Sequence, residues 1–255
     1  GSDMAAIRAK AIREGDEYVL SGQKIWSTRA VFADWVFCIF RTDPASSRHH
    51  NLSFIFVPLD TPGVTVRPIP QLDGLPGFAE IFFDEARVPV SNRLGEEGQG
   101  WHIAMSTAGF ERGLMLRSPA RFQETAKRLV ELYRSRRNDI LDLAIEDAVV
   151  RCYMDAESYA LSTYQTASRL IKGGKIGAEA SLNKIFWSEL DLRMHETAMS
   201  LLGARAELVP EEGDGNSDLG QWLDGFLFAQ SGPIYAGTNE IQRNIIAERL
   251  LGMPR

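Results

Sequence analysis

The sequence predicts an α+β protein, with a small β-barrel or sandwich over residues 1–95 and an up-down four-helix-type bundle over residues 96–255. Two observations predict this fold class. Before Gly95, short apolar runs alternate with Gly- and Pro-containing turns, which is typical of barrels and sandwiches. After Trp101, apolar residues recur at helical spacing instead. The chain has 255 residues, 44% of them hydrophobic, and this is enough for a substantial core.

The first domain is predicted to contain many short strands. The unbroken apolar run at residues 35–40 is expected to be a central strand, and Ser21-Gly22 is expected to form a tight turn. The predicted extended segments are residues 7–12, 18–20, 25–28, 35–40, 51–57, 64–69 and 79–83.

The second domain is predicted to be helical throughout. Ser118-Pro119 is typical of a helix cap followed by a first-turn proline, and one kinked helix across this pair is the alternative. Long helices with short connections predict a bundle. The predicted helices cover residues 99–117, 119–136, 139–172, 175–203, 218–230 and 238–250.

Composition limits the class of function. A net charge of −6 argues against nucleic acid as the main partner. Cys38 and Cys152 lie in apolar or helical settings, which predicts buried thiols in a reducing compartment. The four histidines show no metal-ligand spacing, so no metal site is predicted. There is no apolar run of about 18 residues and no signal peptide, so we expect a soluble, cytoplasmic protein.

The segment from Ile234 to Arg249 is predicted to be a loop that turns into a helix. Gly237 permits backbone angles that other residues resist, Thr238 can cap the helix, and Glu240 lies in its first turn. A helix start behind a glycine can bind a phosphate, although most such junctions are only structural. The residues alone leave both interpretations open.

The string YAGTNEIQRNIIAERLLG, at residues 235–252, resembles the C-terminal signature of the acyl-CoA dehydrogenase family. The resemblance implies that the segment holds part of FAD, with Gly237, Thr238 and Glu240 as contacts. Many members carry their catalytic glutamate where this chain has Ala236. The base is therefore expected elsewhere or is absent.

A second string, Gly22 to Thr28, resembles the family pattern GxKxWxT. The resemblance implies that Trp26 lies against the flavin ring, that the Thr28 hydroxyl lies near flavin N5, and that Ser27 belongs to the same contact set. A core tryptophan beside a surface threonine is the alternative. Ser2 would bond a flavin phosphate if Gly1-Ser2-Asp3 corresponds to the end of the family's Gly-rich flavin loop, the alternative being a tag remnant.

A third string, Gly109 to Gly113, contains the candidate base. Dehydrogenation of a thioester needs a carboxylate in an apolar pocket that removes the α-proton. One branch of the family supplies this acid from the corresponding helix, directly before an arginine, which implies that Glu111 is the base. Arg112 then matches a CoA contact, and the small Gly109 leaves room for a branched or bulky acyl group. A solvated helix face is the alternative.

The sequence also departs from the family. Residues 135–140 and 200–205 replace two motifs that hold flavin across a dimer interface in relatives, with Arg136 and Arg205 as guessed substitutes. The resemblance covers the middle β domain and the C-terminal helical domain, but the N-terminal helical domain has no counterpart. This favours a fragment of a longer protein over a natural two-domain form.

The resemblance implies an FAD-dependent acyl-CoA dehydrogenase. Such an enzyme forms a 2,3-trans double bond in an acyl-CoA thioester and passes electrons to an electron-transfer flavoprotein. A homodimer or tetramer, possibly heteromeric, is expected. The alternatives are a non-catalytic partner subunit of a heteromeric dehydrogenase and a flavin oxidase or monooxygenase on the same fold.

Overall fold

The computed structural model describes residues 1–43, 49–111, 118–136, 143–174, 177–208 and 218–254, with only the backbone described for residues 108–111 and 218. The described chain forms two compact units, Gly1–Ala108 and Gly109–Arg255. The first contains a β-sheet and the second is helical, so the predicted α+β fold class is confirmed. No helix in the described ranges is long and apolar enough to cross a membrane.

The first unit is built on one seven-stranded sheet in the order β5-β6-β2-β1-β3-β4-β7. Neighbouring strands are antiparallel, except that β1 and β3 pair in parallel at Lys10 and Arg41. The predicted central strand is β3, which lies between β1 and β4. The strands are β1 (Lys10–Glu14), β2 (Glu17–Thr28), β3 (Trp35–Arg41), β4 (Leu52–Pro58), β5 (Val64–Ile69), β6 (Phe78–Pro89) and β7 (Arg93–Leu94).

The predicted tight turn at Ser21-Gly22 is wrong, because β2 runs through it without a break. The pairing of β2 with β6 shifts register twice. Between Leu20 and Gly22 the extra residue lies on β6, and between Lys24 and Ser27 it lies on β2, which therefore contains one bulge. Gly22 has a φ of +126°, and a Cβ at this position would lie 2.8 Å from the Ala9 Cα. The glycine therefore marks a close approach of β1 within the sheet and not a chain reversal.

The sheet buries an apolar core on one face. Phe40 of β3 packs edge-to-face on Phe83 of β6, with ring centroids 5.1 Å apart. Buried residues of all the central strands join this cluster. Helix α1 (Gly100–Glu111) starts against β4, where a Cβ on Gly100 would lie 2.7 Å from the Ser53 carbonyl carbon. Only glycine fits this contact, so the helix start is set by backbone packing.

The second unit is a helical bundle, as predicted. The helix predicted over residues 119–136 is confirmed at both ends. Residues 112–117 and 137–142 lie outside the described residues, so the alternative of one kinked helix across Ser118-Pro119 stays open. The remaining helices begin or end a few residues inside the predicted limits. The helices of this unit are α2 (Pro119–Arg136), α3 (Leu143–Ile171), α4 (Ala180–Leu202), α5 (Asp218–Ala229) and α6 (Asn239–Arg249).

Helix α4 is the central helix of the bundle and packs against α2, α3, α5 and α6. The Trp187 side chain on α4 lies between Phe122 of α2 and Tyr235 of the loop before α6, with ring centroids 6.4 and 5.9 Å away. Leu190, Met194 and Ala198 continue the buried face at helical spacing. The core of the bundle therefore extends to the loop that leads into α6.

Candidate functional site

Trp26 stands out at the end of β2. Its backbone lies in the left-handed region, with φ +62°, inside the bulge of this strand. Its side chain is 62% exposed and touches Phe78 edge-to-face with ring centroids 6.1 Å apart. Left-handed backbone is unfavourable for a bulky residue, and such strain clusters at functional sites. The core-tryptophan interpretation is therefore wrong.

The other residues predicted around Trp26 are accessible as well. Thr28 is exposed and pairs with Phe78 of β6, and Ser27 is half-buried and pairs with Ala79. Ser2 is exposed in the N-terminal turn. All three hydroxyls are thus positioned near the surface of this unit, where a ligand could reach them.

Lys24 anchors the bulged end of β2. Its Nζ donates to the Ile39 carbonyl at 2.5 Å and lies 4.9 Å above the Phe40 ring. Burial lowers the pKa of this lysine. Because both contacts are with β3, the side chain ties β2 to the sheet core two residues before Trp26. This lysine was not singled out from the sequence.

The second candidate feature is the start of α6. Thr238 caps the helix, since its Oγ1 accepts from the Ile241 N–H at 3.3 Å. Glu240 is exposed in the first turn, and hydrogen bonds from its own backbone N–H and from Thr238 lower its pKa. Ala236 and Gly237, the two residues before Thr238, both have a left-handed backbone, with φ +55° and φ +84°. The predicted loop-to-helix transition is confirmed.

Gln242 holds this left-handed pair from inside the bundle. Its side chain is fully buried, and its Nε2 donates to the carbonyls of Ala236 and Gly237 at 3.3 and 3.2 Å. Its Oε1 has no hydrogen-bond partner among the described residues. A buried acceptor without a partner is uncommon and calls for an explanation.

Lys184 holds the same loop from α4. The side chain is buried, and its Nζ donates to the Gly232 carbonyl at 2.9 Å and to the Asn239 Oδ1 at 2.7 Å. Sequence analysis missed both Lys184 and Gln242. A signal existed for the lysine, since it falls at helical spacing with the buried residues Ala180 and Trp187.

The two features differ in what each offers to a ligand. At the capped start of α6, the Asn239 N–H donates to the Pro233 carbonyl at 2.9 Å and the Ile241 N–H to Thr238, so these first backbone N–H groups already have partners within the chain. An exposed indole suits one face of an aromatic ring system. No group of three or more His, Cys, Asp or Glu side chains within the described ranges is arranged to hold a metal ion.

Comparison with known families decides the identity. The acyl-CoA dehydrogenase C-terminal domain matches residues 98–251, and the acyl-CoA dehydrogenase middle domain matches residues 1–86. The chain belongs to the acyl-CoA dehydrogenase family. The resemblance found in the sequence strings is confirmed. The matched ranges correspond to the sheet and to the bundle.

Individual relatives agree with this assignment. The chain is 38% identical to the acyl-CoA dehydrogenase IpdE1 of Mycobacterium tuberculosis, over all of this chain and 64% of that protein. The solved Tcur3481-Tcur3483 steroid ACAD is 28% identical with a TM-score of 0.89, over all of this chain and 66% of that one. The ChsE4-ChsE5 complex from Mycobacterium tuberculosis is 30% identical with a TM-score of 0.83, with the same coverage. The chain thus spans about two thirds of the length of these family members.

The structure describes only part of the residues that are predicted to carry out acyl-CoA dehydrogenase chemistry. Glu111 is the last residue of α1, and Gly109 lies in the same turn. Only their backbone is described, and Arg112 lies outside the described residues. The roles assigned to these three residues stay predictions.

The residues at the two departures from the family motifs are used inside the bundle. The Arg136 Nη1 donates to the carbonyls of Leu201 and Leu202, each at 3.0 Å, and so caps the end of α4. Ser200 donates to the Glu196 carbonyl at 3.0 Å. Arg205 is exposed in the 3₁₀ turn Gly203–Glu207. Arg136 therefore has a structural role within the bundle, and the guessed flavin roles of Arg136 and Arg205 stay predictions.

Proposed function

We propose that the protein is an FAD-dependent acyl-CoA dehydrogenase that oxidises a thioester between its α and β carbons. The observation that carries the proposal is the exposed Trp26 side chain on a left-handed backbone. The packing of the sheet does not need this side chain, and it stands where family members carry their flavin-facing tryptophan. An electron-transfer flavoprotein is the proposed electron acceptor, as in the family.

The proposed flavin contacts are given for each unit by itself. In the first, Trp26, Ser27 and Thr28 would face the ring system, and Ser2 a phosphate. The start of α6 would hold the nucleotide part through Gly237, Thr238 and Glu240. When bound, the flavin supplies the acceptor for the β-hydride. The role of the indole is to cover the ring and exclude water.

The proposed base is Glu111, whose carboxylate would take the α-proton of the thioester. A carboxylate in an apolar pocket has a raised pKa, which suits it to proton abstraction. Ala236 supports this assignment, because a second carboxylate in the pocket would repel the first and shift its pKa. Arg112 would contact the anionic CoA.

We propose a bulky acyl group, such as a steroid-derived one, as the substrate class. The support is twofold. One solved relative is a steroid ACAD. Gly109, two residues before the proposed base, has no side chain, and Ala236, at the position of the vacated acid, has only a methyl group.

A heteromeric assembly is the second candidate. Two solved relatives are pairs of different chains, Tcur3481-Tcur3483 and ChsE4-ChsE5. In this chain Arg136 and Ser200, at the positions of the inter-subunit motifs, make hydrogen bonds within the bundle. A different subunit would then complete the flavin site, and this chain would be either the catalytic or the non-catalytic partner.

The test is the visible spectrum of the purified chain with FAD, recorded anaerobically before and after addition of a panel of straight-chain, branched and steroid acyl-CoAs. We expect bound flavin that is bleached by a bulky acyl-CoA. Bound flavin that no acyl-CoA bleaches would favour the non-catalytic partner. Reduced flavin that reacts rapidly with oxygen would favour an oxidase, and absence of FAD binding would contradict the proposal.

A further inference from the structure

Helix α3 carries apolar side chains on the side that faces away from the bundle. Its buried face packs on α2 and α4 through residues such as Val149, Cys152 and Ala156. The opposite side carries six apolar side chains that are between 50% and 86% exposed, and we call them the α3 stripe: Leu143, Val150, Met154, Leu161, Tyr164 and Ile171. Single exposed apolar residues are common, but a row of them along one helix indicates a surface that another chain covers.

The spacing of the α3 stripe is that of a seam between two helices. Three members follow Leu143 at multiples of seven residues, and the other two, Met154 and Leu161, are also seven residues apart. A seven-residue repeat keeps side chains on one line when two helices wind around each other. The stripe therefore has the pattern of a helix that packs lengthwise on another helix.

Three polar residues also fall on this repeat. Glu157, in its middle, accepts from the Gln123 Nε2 of α2, which lies 3.1 and 3.0 Å from its two carboxylate oxygens, so the carboxylate is drawn towards α2. Asp147 pairs with Arg151, one turn along the same helix, at 2.6 Å. Ser168 is exposed near the end of α3. The centre of the stripe is therefore apolar, and its other polar members lie towards the two ends.

The α3 stripe reads almost alike from both ends, with Glu157 as its midpoint. Leu143 and Ile171 lie fourteen residues on either side of Glu157, and Val150 and Tyr164 lie seven residues on either side. Two copies of α3 that run in opposite directions about a two-fold axis at Glu157 would place each of these four residues opposite an apolar residue. A two-fold interface uses the same surface on both chains, so that surface must complement itself. The symmetry of the stripe favours a second copy of this chain as the partner.

The charges of α3 favour the same direction. Glu146 lies in the first turn, Arg169 in the last turn, and Lys172 directly after the helix. In an antiparallel pair Glu146 of one copy lies beside the basic end of the other, since it is eleven residues before Glu157 and Arg169 is twelve residues after it. The partial charges of the helix ends then also attract. A parallel pair would place each of these charges opposite its own copy, which is unfavourable.

We propose that the α3 stripe is a self-association surface, on which two copies of this chain pack α3 against α3 in antiparallel orientation about a two-fold axis near Glu157. Burial of the apolar side chains stabilises the pair, and the charged helix ends set its direction. The stripe belongs to the helical unit alone, so this self-association does not depend on FAD or on the proposed reaction.

The first test is sedimentation of the full 255-residue chain without FAD, over a series of concentrations. We expect a wild-type dimer with a dissociation constant of about 1 μM or lower. Leu161→Lys should raise this constant at least about tenfold, because the two-fold axis brings two lysines into the seam. Leu251→Lys, at an equally exposed leucine after α6, is the matched control and should leave it unchanged.

Two results would overturn the proposal. One is a wild type that sediments as a monomer at concentrations up to about 100 μM. The other is a Leu161→Lys variant that associates as tightly as the wild type. Circular dichroism of each variant confirms that the helical content is kept, so that a loss of the dimer reports on the surface and not on folding.

The second test determines the direction of the two helices by charge reversal at low salt. Lys172→Glu places an acid beside Glu146 of the other copy, and we expect it to weaken the dimer about threefold or more. Glu146→Lys alone should have a similar effect, and the two substitutions together should restore the wild-type constant. Lys172→Glu combined with Glu124→Lys, on α2, has the same net charge and should not restore it. A Glu146→Lys/Lys172→Glu variant that associates no better than the single variants would overturn the antiparallel arrangement.

Discussion

Gln242 donates its side-chain amide to the backbone carbonyl of Ala236, 3.3 Å away, and makes a matching bond to Gly237. Ala236 is left-handed with φ +55°, a conformation that costs an L-residue about 1 kcal/mol. The buried amide offsets this cost by donating hydrogen bonds to two carbonyls of the turn. A core side chain thereby sets the shape of a loop at the candidate site.

Gln242→Met should destabilise the protein by about 1–3 kcal/mol, because it leaves two loop carbonyls without this donor while conserving side-chain volume. Urea unfolding measures the change. Asn244→Met, on the exposed side of the same helix, is the control and should change the free energy of unfolding by no more than about 0.5 kcal/mol. Equal effects of the two substitutions would contradict the role given to Gln242.

Ala236→Gly should be nearly neutral, because glycine adopts the left-handed conformation without steric cost and this gain offsets its greater freedom in the unfolded chain. Ala247→Gly places the same substitution inside α6, where it should cost about 1 kcal/mol. The comparison of their urea midpoints tests the backbone conformation directly. A larger loss at position 236 than at 247 would refute it.

Trp26→Phe should leave stability within about 0.5 kcal/mol of the wild type, since the indole is mostly exposed. FAD affinity should fall several-fold, because the smaller ring covers less of the flavin face. Trp35→Phe provides the control on β3, where the side chain is 55% exposed. If both variants bind FAD as the wild type does, Trp26 is not a flavin contact.

Stability should also depend on pH through His195, which lies buried between α4 and α5. Its Nδ1 donates to the Asp191 carbonyl at 2.8 Å, and a Cβ on Gly225 would lie 2.2 Å from its Nε2. Burial lowers the pKa of this histidine below its ordinary value near 6.5, and the cations Arg121 and Arg128 act in the same direction, while the Asp191 carbonyl and carboxylate oppose them.

The folded state thus takes up its proton at lower pH than the unfolded state. The contribution of His195 to stability is complete above about pH 6.5 and is lost as pH falls from there through the folded-state pKa. Urea unfolding of the wild type between pH 7.5 and 5 should show this loss, and His195→Asn should show less of it. His102→Asn, at an exposed position, should retain the wild-type slope. Parallel slopes for all three proteins would disprove the assignment.

Much of the fold could be predicted because its signals are local. Helix α2 follows from a proline start and an apolar stripe, and the cap at Thr238 follows from residue type alone. The turn at Gly22 was predicted wrongly, because a glycine inside a strand and a glycine in a turn look alike in sequence. The difference lies in the approach of Ala9, a contact between different strands.

Residues of the candidate site could be predicted only where they fall in a sequence string that resembles one of the family. Trp26 and Thr238 were found in this way. Lys184 and Gln242 were missed because their partners lie on other elements or are backbone carbonyls, which no residue pattern records. The left-handed backbone of Ala236 could not be predicted either, since an alanine in the sequence does not indicate a positive φ.

The most direct test of the proposed chemistry is the anaerobic reduction of bound FAD by acyl-CoA in the wild type and in Glu111→Gln. The amide keeps the shape of the side chain but cannot accept the α-proton. We expect bleaching in the wild type and in the control Glu124→Gln, at an exposed position of α2, with a rate at least about 10²-fold lower in Glu111→Gln. Bleaching of Glu111→Gln at the wild-type rate would show that the base lies elsewhere and would contradict the account.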